Sequence, residues 1–317
     1  MIDITLQNFE AELLAASLHS PVLLDIWAPW CGPCKTLGPV LEKLETDYAG
    51  RFTLAKLNAD EVPEIAQQLS AAFGVRSIPF CVMFSGGQPV DGFVGAVPES
   101  QIREFLDKHV PSEGALMAEE NLAEAEALLE NGAADDALAR LLGALEADPK
   151  NEVARFDLVK ALIEAGRLAE AEAAFAPVAA QAADPLIPHA RFAALATWLK
   201  ACTAAQSAPP AAQLEAAIAA NKRDFEARFL LAQTHFAAGR FTAAMDELLE
   251  IVMRDKAWNE QLARKTFVAV LEVLTKPLPK PAPGKASEGK VQLTGHSAAA
   301  GDPLIDQYRR KLSMALF

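Results

Sequence analysis

The chain has 317 residues, 51% of them hydrophobic and 22% charged; this is room for about two domains, and too near the globular average for a disordered or fibrous protein. Its 29 basic and 42 acidic side chains leave a formal charge of -13, which repels nucleic-acid backbones and anionic lipid. No apolar run reaches the length of a membrane span, and the opening MIDITLQNFE carries acids where a secretory leader needs a basic end. A cytoplasmic location is expected, with neither nucleic acid nor membrane as partner.

In the first part of the chain, short β-branched or apolar runs alternate with helical stretches. The runs are PVLLDIWA at 21–28, FTLAKLN at 52–58, PFCVMF at 79–84 and VDGFVG at 90–95, which predicts an α/β domain over residues 1–110. Pro and Gly in HVPSEGALM at 109–117 interrupt two helical patterns, and the seam is placed at Pro111. From 111 to 275 the composition turns Ala-, Leu- and Glu-rich at helical spacing, predicting an all-α domain. Asn131-Gly132 and Ala165-Gly166 close equivalent helices 34 positions apart, the tetratricopeptide period. Ala154-Arg155-Phe156 with Gly166-Arg167 returns as Ala227-Arg228-Phe229 with Gly239-Arg240, 73 positions on, two periods plus five residues. The surplus is placed in QSAPPAAQ at 206–213. Four helical hairpins follow, over 115–148, 149–183, 185–220 and 221–254, then a helix at 256–275.

Residues 276–301, rich in Pro, Lys, Gly and Ser, read as a flexible linker. In 302–317, Asp302 can cap a helix with Pro303 in its first turn. Leu304, Tyr308, Leu312 and Leu316 recur every four residues beside Arg309, Arg310 and Lys311, giving an amphipathic terminal helix.

Four cysteines are too few for a disulfide scaffold, but Cys31 and Cys34 form a C-x-x-C directly after an apolar run. A strand-to-helix turn there puts Cys31 at a helix N-terminus, where backbone N–H groups and the dipole favour a reachable thiolate with a pKa near about 7. Cys34, one turn along on the same side, can resolve a mixed disulfide made by Cys31. Pro33 suits the first turn, and Gly32 lets a substrate backbone come close. Asp25 sits in a run too apolar for an idle carboxylate; burial raises its pKa and suits it to accept the Cys34 proton. A structural zinc site wants four ligands, and no second Cys or His pair follows, so no metal is assigned. The expected redox group is the Cys31–Cys34 disulfide itself, with no other cofactor. Cys81 reads as a small core residue, with a redox role as its alternative, Cys202 reads as structural, and the five histidines receive no role.

The run Leu24-Asp25-Ile26-Trp27-Ala28-Pro29-Trp30-Cys31-Gly32-Pro33-Cys34-Lys35 resembles thioredoxin. The similarity continues through Ala55-Lys56-Leu57-Asn58, Arg76-Ser77-Ile78-Pro79 and Gly86, Gly87, Gly92 and Gly95. The resemblance implies an α/β thioredoxin fold, a central mixed sheet flanked by helices, followed here by the tetratricopeptide-like helical repeats. It gives Asp25 the same proton-accepting role, with Lys56 as its neighbour. It also implies a cis Ile78–Pro79 bond facing an extended substrate, which would meet Trp30, Gly32, Pro33, Ile78 and Pro79.

The order of parts resembles the chaperedoxin family (CnoX or YbbN), in its branch that keeps both motif cysteines. That family's members hold unfolding proteins, guard their cysteines through mixed disulfides, and pass clients to the GroEL chaperonin and the DnaK system. The terminal segment resembles the helix with which they dock on GroEL; its counterparts here are Leu304, Tyr308, Arg309, Arg310, Leu312 and Leu316. Composition alone allows equally a helix that caps the last repeat. A second cysteine of some relatives would fall near Ala59 and is missing, so client trapping rests on Cys31. Stacked hairpins present a concave protein-binding surface, and the Ala, Leu, Phe and acid pattern suits unfolded apolar segments. The alternative is a thioredoxin-like disulfide reductase whose repeats only select protein substrates.

Overall fold

The apolar runs become strands β2 (Val22–Trp27), β3 (Thr53–Asn58), β4 (Phe80–Ser85) and β5 (Gln88–Val94), joined by a two-residue β1 (Ile2–Asp3) that the sequence pattern did not signal. The computed structural model describes residues 1–184, 186–276 and 302–316. Strand order is β1-β3-β2-β4-β5, with β1, β3 and β2 parallel and β4 and β5 antiparallel. Helices α1 (Gly32–Asp47), α2 (Pro63–Phe73) and α3 (Glu99–His109) accompany this mixed sheet.

Strand β2 is buried on both faces, and its side chains alternate between two cores. Val22, Leu24 and Ile26 pack with Phe80, Val82 and the α2 residues Ile65 and Leu69. Leu23 packs with Leu54, Met83 and the α1 residues Leu37, Leu41 and Leu44, and Ile102 and Leu106 of α3 join them. Asp25 follows Leu23 by two positions and therefore lies on this second, α1-facing side. Its register partners there are Lys56 on β3 and Cys81 on β4. The β4–β5 pair is close enough that a Cβ at Gly92 would stand 2.8 Å from the Cys81 carbonyl oxygen and 3.1 Å from the Phe80 ring.

A second unit begins at Met117, a few residues past Pro111. Its hairpins are α4 (Glu113–Glu130) with α5 (Ala134–Ala147), α6 (Glu152–Glu164) with α7 (Leu168–Phe175), α9 (Ala190–Gln206) with α10 (Ala211–Ala220), and α11 (Phe225–Ala237) with α12 (Phe241–Arg254). A short α8 (Ala179–Ala182) precedes α9, and α13 (Trp258–Leu274) follows the last hairpin. Three of the turns share one device. Gly132, Gly166 and Gly239 take left-handed φ values of 74°, 73° and 68°, and the next residue's N–H reaches back to a carbonyl of the helix, as Arg167 does to Leu162 at 2.9 Å. Only glycine adopts that backbone freely, which is why it marks the period.

The surplus residues are not confined to 206–213. Glu152 opens α6 and Ala190 opens α9, 38 positions later, so most of the excess over 34 precedes α9, where Pro177 breaks the regular helix into a 3-10 turn before α8. The α9–α10 turn is itself one residue longer than its counterparts, at 207–210. Trp198 anchors the array: fully buried, it stacks on Phe236 at 5.4 Å between centroids and donates its indole N–H to the Phe236 carbonyl at 2.8 Å.

The terminal helix α14 (Pro303–Leu316) starts as expected, with Asp302 Oδ1 accepting from the Leu304 N–H at 2.8 Å. Its apolar stripe is turned inward against α12 and α13, the capping arrangement that composition allowed beside docking. Ile305, Tyr308 and Leu312 are buried there and Leu316 partly so, while Leu304, Arg309 and Arg310 remain exposed. The helical period explains why Ile305 takes the place of Leu304 on this face: 3.6 residues per turn carries Ile305, Tyr308 and Leu312 along it, and a strict four-residue count from Leu304 drifts off it. Tyr308 donates to Asp246 Oδ1 at 3.0 Å, Lys311 lies 3.6 Å from the same carboxylate, and Lys256 donates to the Leu316 carbonyl at 2.8 Å. From residue 277 onward, the linker expected at 276–301 lies outside the described residues. Among the described residues no helix is long and apolar enough to cross a membrane.

Candidate active site

Past the C-terminal end of β2 the chain turns once, the Cys31 N–H donating to the Ala28 carbonyl at 3.0 Å, and enters α1 with Cys31 as its N-cap. The capping atom is sulfur: Sγ of Cys31 accepts from the Cys34 N–H at 3.2 Å. Pro33 fills the first turn, where its missing N–H costs nothing. Cys31 and Cys34 are joined as a disulfide, with 5.4 Å between their Cα atoms. The pair is covered more fully than a reachable thiol implies, at 3% and 4% exposure, because capping draws Sγ of Cys31 over the helix end and Ala28, Trp27 and Ile78 pack around it.

The rim is open where the covering stops. Gly32 and Pro33 are exposed, and nothing stands within 4 Å of a Cβ built at Gly32. Trp30 is 71% exposed, its indole held by Asp60, whose Oδ2 accepts at 3.0 Å. The Ile78–Pro79 bond is cis; Ile78 touches the disulfide cluster and Pro79 is buried. A cleft of about 360 Å³ runs beside Trp30 and Ile78, walled by Ala59, Pro63, Arg76 and Ser77.

Asp25 is 1% exposed. Burial is the largest influence on its carboxyl and pushes the pKa up to about 6, against the lowering effects of the Lys56 charge and a hydrogen bond from Cys81. The Cys81 thiol lies 3.7 Å from Asp25 Oδ1. Lys56 is the expected neighbour by register, but its ammonium is bonded to Glu42 Oε1 of α1 at 2.5 Å rather than to Asp25, and passes Gly38 on the way. The structure thus gathers Cys31, Cys34 and Ile78 in one cluster with Trp30, Gly32 and Pro33 at its edge. Asp25 and Lys56 lie in adjacent strands on the α1 side, and the α14 residues belong to the second unit. Glu42 and Asp60 escaped the sequence reading, and Cys81, buried as expected, has a partner in Asp25 that the reading did not find. The contact of Cys81 with Asp25 could have been found only by fixing the β2–β4 register; Glu42 stands four residues after Gly38, on the helix face that Lys56 crosses.

A thioredoxin family model matches residues 1–108, and two tetratricopeptide-repeat models match 116–199 and 204–280. A thioredoxin of Chlorobaculum thiosulfatiphilum is 47% identical over 104 residues, which are 33% of this chain and 91% of that protein. The chain belongs to the thioredoxin family. Thioredoxin 2 of Chlorobaculum tepidum is 48% identical over 104 residues, covering 33% of this chain and 90% of its own length. A thioredoxin of Haemophilus influenzae is 42% identical over 103 residues, covering 32% and 91%. Each of these relatives spans about a third of the chain, so what this protein adds to a thioredoxin domain is its array of tetratricopeptide repeats.

Proposed function

We propose that the protein is a redox-active holdase of the chaperedoxin kind: its repeats bind unfolding proteins, its thioredoxin domain exchanges disulfides with them, and it delivers them to GroEL and DnaK. The observation that carries this is a Cys31–Cys34 disulfide capping a helix in a thioredoxin domain, in one chain with protein-binding helical repeats.

In the reducing direction, the Cys31 thiolate attacks a client disulfide. One client sulfur leaves as thiolate, and the other stays bonded to Cys31. The buried Asp25 carboxylate takes the Cys34 proton, and the new thiolate attacks Sγ of Cys31. The second client thiolate leaves, and the Cys31–Cys34 disulfide closes; two electrons have passed to the client. Trp30, Gly32, Pro33 and the Ile78–Pro79 segment border the client strand. The inward packing of Tyr308 and Leu312 leaves Leu304, Arg309 and Arg310 as the residues through which α14 meets GroEL.

Insulin reduction by wild type, with dithiothreitol as electron source, tests the redox step, and failure to reduce insulin refutes it. Suppression of aggregation of a heat-denatured client is retained when Cys31→Ser and Cys34→Ser are combined, if holding is independent of redox chemistry. Loss of protection in that variant favours the second reading, a disulfide reductase whose repeats only select protein substrates; the high identity to thioredoxins is the observation on its side. GroEL is recovered by the full chain and not by one stopped at Gly301; equal recovery rejects delivery through α14.

A further inference from the structure

The side chains around Asp25 set how readily it can carry charge. Leu37, Leu41 and Leu44 of α1 and Ile102 and Leu106 of α3 build the apolar cluster on this side of the sheet, with Cys81 among them. The charged and titratable groups that act on it are Lys56 on β3, whose ammonium is held by Glu42 of α1, and Cys81 on β4, while Cys34 of α1 is tied up in the disulfide. Glu42 draws the Lys56 charge toward the surface, where the Glu42 side chain is 48% exposed. The one side-chain hydrogen bond to the Asp25 carboxylate among the described residues comes from the fully buried Cys81.

We propose that Cys81 is a positioning residue of the redox site: its thiol donates to Asp25 Oδ1, stabilising and orienting the carboxylate that receives the Cys34 proton. The proposal rests on the reading of Asp25 as that acceptor. Three features support it. Cys81 is the register partner of Asp25 across β2 and β4, so rigid strand pairing fixes their approach. Gly92 lets β5 close directly over the Cys81 backbone, which holds β4 in place from its other side. Burial and the neighbouring carboxylate both push the Cys81 thiol well above its ordinary range, so it keeps its proton and remains a donor while Asp25 changes charge. Proton movement is therefore confined to the Cys34–Asp25 step, and Cys81 neither gains nor loses one.

The test compares Cys81→Val, which keeps the bulk and removes the donor, with Cys81→Ser, which keeps a donor. The Asp25 carboxyl is titrated by carbon-13 NMR in the oxidised protein, where Cys31 and Cys34 do not titrate. Wild type is expected at about 6. Valine raises the midpoint by about half a pH unit or more, the scale of one weak hydrogen bond to a charged group, and serine returns it toward wild type. The acid limb of the pH profile for insulin reduction moves alkaline with the valine midpoint. Cys81→Ala repeats the donor-less arm should valine disturb the strand. An unchanged midpoint without the donor, or a serine variant that behaves like valine, overturns the proposal, as does an acid limb that ignores a shifted midpoint. Titration needs no client, so a wild type unable to reduce insulin defeats the reductase reading separately from the Cys81–Asp25 bond.

Discussion

Replacing Asp25 with Asn changes stability by an amount that depends on pH. The carboxyl is 1% exposed and titrates at about 6 instead of 3.8, chiefly because of burial. Between those two values the folded protein keeps a proton that the unfolded chain has released. Stability from this group is therefore fully present below 3.8, falls as pH rises toward 6, and stays low above it. At 1.36 kcal/mol per pH unit the gap amounts to about 3 kcal/mol. Asn cannot titrate and escapes the loss, while the intrinsic cost of a buried amide is the same at every pH and cancels in the comparison. The variant should thus gain about 3 kcal/mol relative to wild type between roughly pH 3 and pH 7.5. Hydrogen-exchange mass spectrometry of the β2 and β4 amides over a urea series, at each pH, reads this for the thioredoxin domain alone. A stability difference between the two proteins that is flat across pH refutes the burial argument.

Two further substitutions probe the two units separately. Gly92→Ala puts a Cβ 2.8 Å from the Cys81 carbonyl oxygen, a backbone contact that cannot swing aside, and should cost about 1–3 kcal/mol in the same exchange experiment; wild-type stability contradicts the tight β4–β5 approach. Tyr308→Ala removes a buried ring and its bond to Asp246, and should release α14 so that limited proteolysis clips the chain near residue 302 faster than in wild type, with equal rates as the opposing result.

The sequence carried the parts of this protein whose physics is local. A C-x-x-C after an apolar strand announces its own chemistry, since spacing along one helical turn fixes which sulfur meets which. The glycines 34 positions apart could be read for the same reason: Gly132 and Gly166 stand where a helix must end in left-handed backbone, and no other residue does that cheaply. Legibility failed where the answer depended on pairing between distant segments. The two residues of β1 are strand only because β3 lies alongside. Lys56 chose Glu42 over Asp25 because α1 crosses its strand at Gly38. Composition could not say whether the α14 stripe met a partner or the last repeat until α12 and α13 supplied the surface that covers it, and Cys81 looked like core filler until register set it against Asp25.

On the proposed function, the first sulfur of the motif becomes a nucleophile because a helix begins there. The most direct test of this is the rate of iodoacetamide alkylation of Cys31 in the reduced protein, followed against pH. The expected midpoint is about 7, well below the 8.5 or so of free cysteine. A midpoint at the free value, or above it, would mean that the helix terminus does not activate the thiol.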